Sequence, residues 1–289
     1  MEARPLVVIA GPTASGKTAL AIELAKEVDG EIICADSRTV YRGMDIGTAK
    51  PTADEQRQIP HWGLDLVDPD ERFTVADFQM YARQKIDEIR SRGHVPFLVG
   101  GTGLYVDAVV FGYEFGDDFD PELRDRLEKM DLQELHRYCD DNNIELPEND
   151  KNKRYVIRAI EQKSINSKRK HEPIDNCIIV GISTDRDVLR TRIECRGEQL
   201  FINGVVEEAK RLGNMYGWDH ESMTGNIYPL CRQYLDGTAT LGEIKEKFTT
   251  LDWRLAKRQL TWLRRNSHIK WLDLPEAKRF LLSVLAPEH

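Results

Sequence analysis

The stretch Gly11-Pro12-Thr13-Ala14-Ser15-Gly16-Lys17-Thr18 fits the pattern G-x-x-x-x-G-K-[ST] at every fixed position. The apolar run Pro5 to Ala10 precedes it, and Leu20, Ile22, Leu24, Ala25 and Val28 follow at helical spacing up to Gly30, where a C-cap glycine is expected. Strand, glycine loop and helix in that order aim backbone N–H groups at a phosphate. Gly11, Thr13, Ala14, Ser15 and Gly16 form the expected cradle, Lys17 supplies charge, and Thr18 offers a hydroxyl for magnesium. The pattern defines a ligand class but no reaction, because kinases, hydrolases and a few transferases share it.

Outward from the loop, Glu31 to Ala35 reads as a short buried strand that delivers Asp36-Ser37-Arg38 to its carboxyl end, the edge where ligands sit in parallel sheets. Residues 39–73 are rich in turn formers and read as a long functional loop with short elements. Thr74 and Asp77 open a helix as a capping box, and Phe78, Tyr81, Ala82, Ile86 and Ile89 carry its apolar face to Gly93. A third strand, Val95 to Val99, ends in Gly100-Gly101-Thr102-Gly103 and the helix Leu104 to Val110. Asp120-Pro121-Glu122 starts a helix in an acidic region, Leu132 marks another, 151–164 reads as a basic helix and 165–176 as a polar link. Ile178 to Ile182 returns as a core strand. Asp187 to Leu212 is helical with breaks expected near Gly197 and Gly204, a loop at 213–226 precedes a short helix at Ile227 to Leu235, and Thr240 with Glu243 caps a long helix to Arg265. His268 to Leu272 reads as an edge strand, with a helix after Pro275.

Strands alternating with helices predict an α/β fold: a P-loop parallel sheet core with crossover helices, residues 1–113 and 177–289, and an inserted helical subdomain, 114–176. The five cysteines are scattered and never form C-x-x-C, so neither a disulfide framework nor a zinc site is indicated. No apolar stretch reaches the length of a membrane span and the start lacks a signal peptide's apolar region, so the expected location is cytoplasmic with no membrane partner. The net charge of −8 disfavours nucleic acid only at first sight. Residues 114–150 hold fourteen acids against four bases, so the rest of the chain is net positive. Segment 151–170 has eight bases and one acid, and 253–271 has six bases and no acid.

Asp36 at a strand end beside a phosphate loop suits a magnesium ligand or a general base, against the plainer reading of a helix-capping turn residue. Ser37 and Arg38 can contact phosphate or be merely exposed. Two glycines before Thr102 permit close approach of a substrate or simply punctuate a turn. The strand at 95–99 ends in Gly where a Walker B segment has an acid, which weakens an ATPase reading. Arg254, Lys257, Arg258, Thr261 and Arg265 share one helix face, which fits a phosphate-backbone site or a solvated surface. Trp253, Trp262 and Trp271 read as core anchors.

Gly11 to Thr18, Asp36-Ser37-Arg38, Tyr41-Arg-Gly-Met-Asp-Ile-Gly-Thr-Ala-Lys-Pro51, Val99-Gly-Gly-Thr-Gly-Leu-Tyr105 and Ala256-Lys-Arg-Gln-Leu-Thr-Trp262 together resemble the tRNA dimethylallyltransferase family nearly from end to end. The resemblance implies transfer of a dimethylallyl group from dimethylallyl diphosphate to N6 of the adenosine on the 3′ side of the anticodon, with Mg2+ as cofactor and the tRNA anticodon stem-loop as partner. It implies that Asp36 takes the N6 proton, that Thr102 and Lys17 act beside it, and that Arg196 in Arg192-Ile-Glu-Cys-Arg196 reaches the diphosphate. For tRNA it implies Asp36, Ser37, Arg38, Thr39, Thr102, Arg124, Arg154, Arg158, Tyr228, Lys257 and Arg258. Departures are Tyr155 after Arg154 where two arginines are frequent, Ile227 where glycine is usual, and a shortened 165–176. The chain ends without the paired Cys and His of a zinc finger, so it looks like the bacterial form, expected to act as a monomer. The rival readings are a P-loop small-molecule kinase and an adenylate isopentenyltransferase.

Overall fold

The computed structural model describes residues 4–115, 120–147, 149–162 and 172–285. Contacts divide the chain into two units, Met1–Val110 with Pro173–His289, and Phe111–Glu172. The expected boundaries after 113 and before 177 lie a few residues from these.

The first unit contains one parallel sheet. Its strands are β1 (Leu6–Ala10), β2 (Gly30–Cys34), β3 (His61–Trp62), β4 (Val95–Gly100), β5 (Cys177–Ile182) and β6 (Lys270–Leu272), in the spatial order β3-β2-β4-β1-β5-β6. Every pairing is parallel, and β1 is inserted between β4 and β5. All five residues of β1 are fully buried, as expected of a central strand with helices on both faces. On one face Val7, Ile9, Ile32, Phe97, Val99 and Val180 pack against the helices α1 (Lys17–Glu27) and α12 (Leu274–Leu285). Two more helices belong to this unit's sheet, α3 (Val75–Ser91) and α4 (Gly103–Val110), and α2 (Ala53–Gln58) lies in the long loop. The Thr74–Asp77 capping box is present in full.

Gly30 is not a C-cap. The left-handed residue after α1 is Asp29, at φ 51°, and Gly30 opens β2. Glycine is needed there for packing, since a Cβ would stand 2.4 Å from Phe97 Cε2.

After β5 come α8 (Arg186–Ile202), α9 (Val205–Tyr216), a 3-10 turn (Glu221–Thr224), α10 (Tyr228–Leu235) and α11 (Leu241–Leu263). Gly204, at φ 91°, separates α8 from α9 as expected, but Gly197 lies inside α8 and leaves room for Phe248 of α11. These helices share a second core with Val40, Tyr41 and Met44 of the long loop. The Thr240–Glu243 capping box starts α11.

The second unit holds α5 (Pro121–Lys129), α6 (Leu132–Asp141) and α7 (Lys153–Gln162) around Leu127, Leu135, Val156, Ile157 and Ile160. Asp120 caps α5, and Asp131 forms a capping box at α6. The expected helix end at 163–164 and the link residues 165–171 lie outside the described residues.

Candidate active site

Three adjacent strands bring the site together. β2, β4 and β1 are neighbours and parallel, so the residues after each strand meet at one sheet edge. Gly11 N–H donates to Gly100 O at 3.3 Å, Ala35 N–H to Val99 O at 2.8 Å, and Thr102 N–H to Ala35 O at 3.3 Å. A Cβ on Gly100 would stand 2.0 Å from Ala35 O, so the close approach that glycine permits here is to the protein's own backbone. Thr102 Oγ1 accepts the Ser37 N–H at 3.1 Å, which ties it to the Asp36 loop. Asp36 Oδ1 in turn accepts the Arg38 N–H at 2.8 Å.

The glycine loop turns through Ala14 at φ 61° and Gly16 at φ 91°, and no side chain caps α1. The first N–H groups of α1 therefore have no partner within the helix and point out of its N-terminus. Ser15 is fully buried and its Oγ has no hydrogen-bond partner, a polar atom that a ligand oxygen would satisfy. Lys17 Nζ donates to Pro12 O at 3.1 Å. Burial pushes the Lys17 ammonium down to about 8; Asp36 opposes that shift, Arg196 adds to it and Asp252 opposes it. Asp36, Arg196 and Asp252 thus each lie within electrostatic reach of Lys17.

Arg196 of α8 donates to Asp252 Oδ2 of α11 at 2.6 Å, and Asn226 Nδ2 lies 3.5 Å from Asp252 Oδ1. One turn earlier on α8, Arg192 Nη1 donates to Ser15 O at 3.1 Å and braces the loop. Thr13 N–H is taken by Gln259 Oε1 of α11 at 2.8 Å, so this expected phosphate donor faces a side chain. Asp252, Gln259 and Arg192 were not expected from the sequence. Their partners lie far away along the chain, although Gln259 and Arg192 stand inside stretches that carry the family resemblance.

Two of the residues expected to contact RNA are buried. Tyr228 is 1% exposed, and its hydroxyl donates to Glu208 Oε1 at 2.9 Å inside the second core. Burial and that carboxylate push its phenol well above the ordinary range, so it stays protonated and turned inward. Thr39 is 5% exposed, with its hydroxyl directed at Asp36 O at 3.4 Å. Arg38 donates to Glu221 O at 2.6 Å and Ser222 O at 3.2 Å, clamping the 3-10 turn to the Asp36 loop. Ile227, the departure from glycine, is buried in the second core.

Lys257 and Arg258 are exposed on α11, and Lys257 lies over the Trp253 ring at 5.2 Å. Trp253, Trp262 and Trp271 are half-buried; Trp262 Nε1 donates to Asp107 Oδ2 at 2.6 Å. In the second unit Arg124 forms ion pairs with Glu128 at 2.8 Å and Glu161 at 2.9 Å, Arg158 reaches Glu161 at 3.5 Å, and Arg154 and Tyr155 are exposed. Among the described residues no helix is long and apolar enough to cross a membrane, and no cluster of three or more His, Cys, Asp or Glu can hold a metal. A magnesium ion here would rest on hydroxyl, carboxylate and ligand phosphate oxygens, the donor set it favours, and Thr18, half-buried in the first turn of α1, supplies such an oxygen.

Fold and site together define an α/β protein with a glycine loop and the uncapped N-terminus of α1 at the carboxyl edge of a parallel sheet. A family model described as IPP transferase matches residues 39–266, and one described as Isopentenyl transferase matches residues 4–63. The chain belongs to the IPP transferase family and is a transferase. The tRNA dimethylallyltransferase of Halalkalibacterium halodurans is 41% identical over 287 residues, covering 94% of this chain and 91% of that protein. The crystal structure of a tRNA isopentenylpyrophosphate transferase from Bacillus halodurans superposes with a TM-score of 0.74 at 39% identity, over 98% of this chain and 97% of that one. A eukaryotic dimethylallyltransferase acting on tRNA shares the fold, with a TM-score of 0.82 at 22% identity over 97% of this chain and 78% of its own.

Proposed function

We propose that this chain transfers a dimethylallyl group from dimethylallyl diphosphate to N6 of the adenosine 3′ to the anticodon in tRNA. The observation that carries the reading is the meeting of Lys17 and its glycine loop with Asp36 and Thr102 at one sheet edge, in a chain whose relatives are named for this reaction.

The exocyclic amine of adenine is a poor nucleophile, so the reaction depends on the leaving group. The bond from the allylic carbon to the diphosphate oxygen breaks, the N6–carbon bond forms, and N6 gives up a proton. Charge collects on the departing diphosphate. The N-terminus of α1, Ser15 Oγ, Lys17 and Arg196 stabilise it. Thr18 Oγ1 would hold a magnesium ion, which would supply further positive charge beside the leaving group. Asp36 receives the N6 proton, and Thr102 fixes the loop that carries it.

The adenine must leave its stack to reach Asp36. Asp36, Ser37, Arg38 and Thr102 form the loops that receive it, while Lys257 and Arg258 hold the RNA backbone. Arg154 and Arg158 add contacts from the second unit, and Arg124 acts there through its ion pairs with Glu128 and Glu161. The enzyme works as a cytoplasmic monomer.

Incubating the protein with labelled dimethylallyl diphosphate, magnesium, free AMP and an unmodified anticodon stem-loop tests the reading. Label is expected in the RNA and absent from free AMP. No label in the RNA refutes it; label in AMP alone makes the chain an adenylate enzyme.

A further inference from the structure

α11 carries two kinds of residue within one turn. Lys257 and Arg258 are exposed, whereas Gln259 turns inward and accepts the Thr13 N–H through Oε1 at 2.8 Å. Its Nε2 lies where a Cβ on Gly101 would come within 2.5 Å, so one amide rests against both the glycine loop and the turn that leads to Thr102. Three residues on, the Trp262 ring occupies the space beside Gly103, where a Cβ would stand 2.1 Å from Cδ1. The inner side of α11 is thus keyed to the site at two points, and its outer side presents cations.

A glycine-loop N–H that donates to Gln259 is withheld from phosphate, and its direction depends on where α11 sits. A force applied at Lys257 or Arg258 reaches the loop through one hydrogen bond and packed backbone, with no flexible chain between. The second contact acts on the Thr102 turn, which holds the Asp36 loop. Both halves of the chemistry therefore register the position of one helix.

We propose that Gln259 is a positioning residue that couples RNA docking on α11 to the diphosphate loop, so that the two ligands bind cooperatively. This rests on the function proposed above. Coupling of this kind is reciprocal: whatever factor RNA applies to diphosphate affinity, diphosphate applies to RNA affinity.

The test is a linkage measurement on the full chain. The Kd of inorganic diphosphate with magnesium is measured by calorimetry with and without saturating unmodified anticodon stem-loop. The wild-type ratio is expected to be at least about fivefold. In Gln259→Ala it falls toward one while each ligand still binds alone. Gln259→Glu, which keeps an acceptor for the Thr13 N–H, recovers part of it. Gly101→Ala, whose new methyl displaces the Gln259 amide, loses it with residue 259 unsubstituted. A purely structural bond would lower stability and leave the ratio unchanged in Gln259→Ala and Gly101→Ala, and that result overturns the inference. A wild-type ratio of one with both ligands bound also overturns it, while the function stands. Failure of the wild type to bind stem-loop or diphosphate removes the functional reading itself.

Discussion

Replacing Glu208 with Gln tests how the long loop after β2 is held in place. Glu208 of α9 is 6% exposed and accepts four hydrogen bonds: Asp45 N–H at 2.9 Å and Ile46 N–H at 2.7 Å on Oε2, and Gly47 N–H at 2.8 Å and the Tyr228 hydroxyl at 2.9 Å on Oε1. Its carboxylate fills a nest of backbone donors. Gln keeps the shape but has one acceptor oxygen. The better orientation leaves that oxygen on Asp45 and Ile46 and sets the amide nitrogen against Gly47 and Tyr228. The tyrosine hydroxyl can turn to accept, but the Gly47 N–H cannot. One buried donor left unmet costs about 1–3 kcal/mol, and two bonds that lose charge assistance cost about 1 kcal/mol each, so about 3–5 kcal/mol in all. At about 2–4 °C per kcal/mol, the thermal midpoint falls by about 10 °C. Tyr228→Phe removes one of four donors and leaves the carboxylate three, so it costs about 1–2 kcal/mol. Urea unfolding followed by tryptophan fluorescence measures both. A Glu208→Gln variant within about 1 kcal/mol of wild type, or a Tyr228→Phe loss as large, would refute the reasoning.

Arg196→Ala leaves the Asp252 carboxylate, 4% exposed, without its guanidinium partner. It should destabilise by about 3–5 kcal/mol and weaken diphosphate binding, read by urea unfolding and calorimetry. Gly30→Ala forces a methyl against Phe97 at 2.4 Å and costs about 1–3 kcal/mol by the same unfolding assay, with turnover retained. Burial of Glu31 works to raise its pKa, but hydrogen bonds from Arg92, Trp62 and His94 hold it below its ordinary 4.5. A carboxylate depressed in the folded state contributes stability above its unfolded value and loses it as pH falls through its folded one. Stability should therefore drop below about pH 4.5 in wild type and less steeply in Glu31→Gln, as followed by urea midpoints across pH.

What the sequence made legible was local. The strand, glycine loop and helix at 6–27, the capping boxes at Thr74 and Thr240, and Asp36 at a strand end all depend on neighbours within a few residues, and each stands where its pattern puts it. Glycine was harder to read, because a missing side chain has several uses. Gly204 breaks a helix by its positive φ, whereas Gly30 and Gly197 make room for Phe97 and Phe248. Tyr228 and Thr39 carry the atoms of a binding residue, but the second core encloses one and the Asp36 loop the other. The bonds that set the site, Thr13 to Gln259 and Arg196 to Asp252, join residues 246 and 56 positions apart. Only the folded arrangement of α8 and α11 around the glycine loop brings them together.

The most direct test of the central claim is single-turnover transfer of labelled dimethylallyl from its diphosphate to an unmodified anticodon stem-loop, comparing wild type with Asp36→Asn. The account predicts transfer by wild type. In the variant the rate constant falls by about 10²–10⁴-fold while RNA affinity stays within about twofold. Transfer by the variant at the wild-type rate, or none by the wild type, would contradict it.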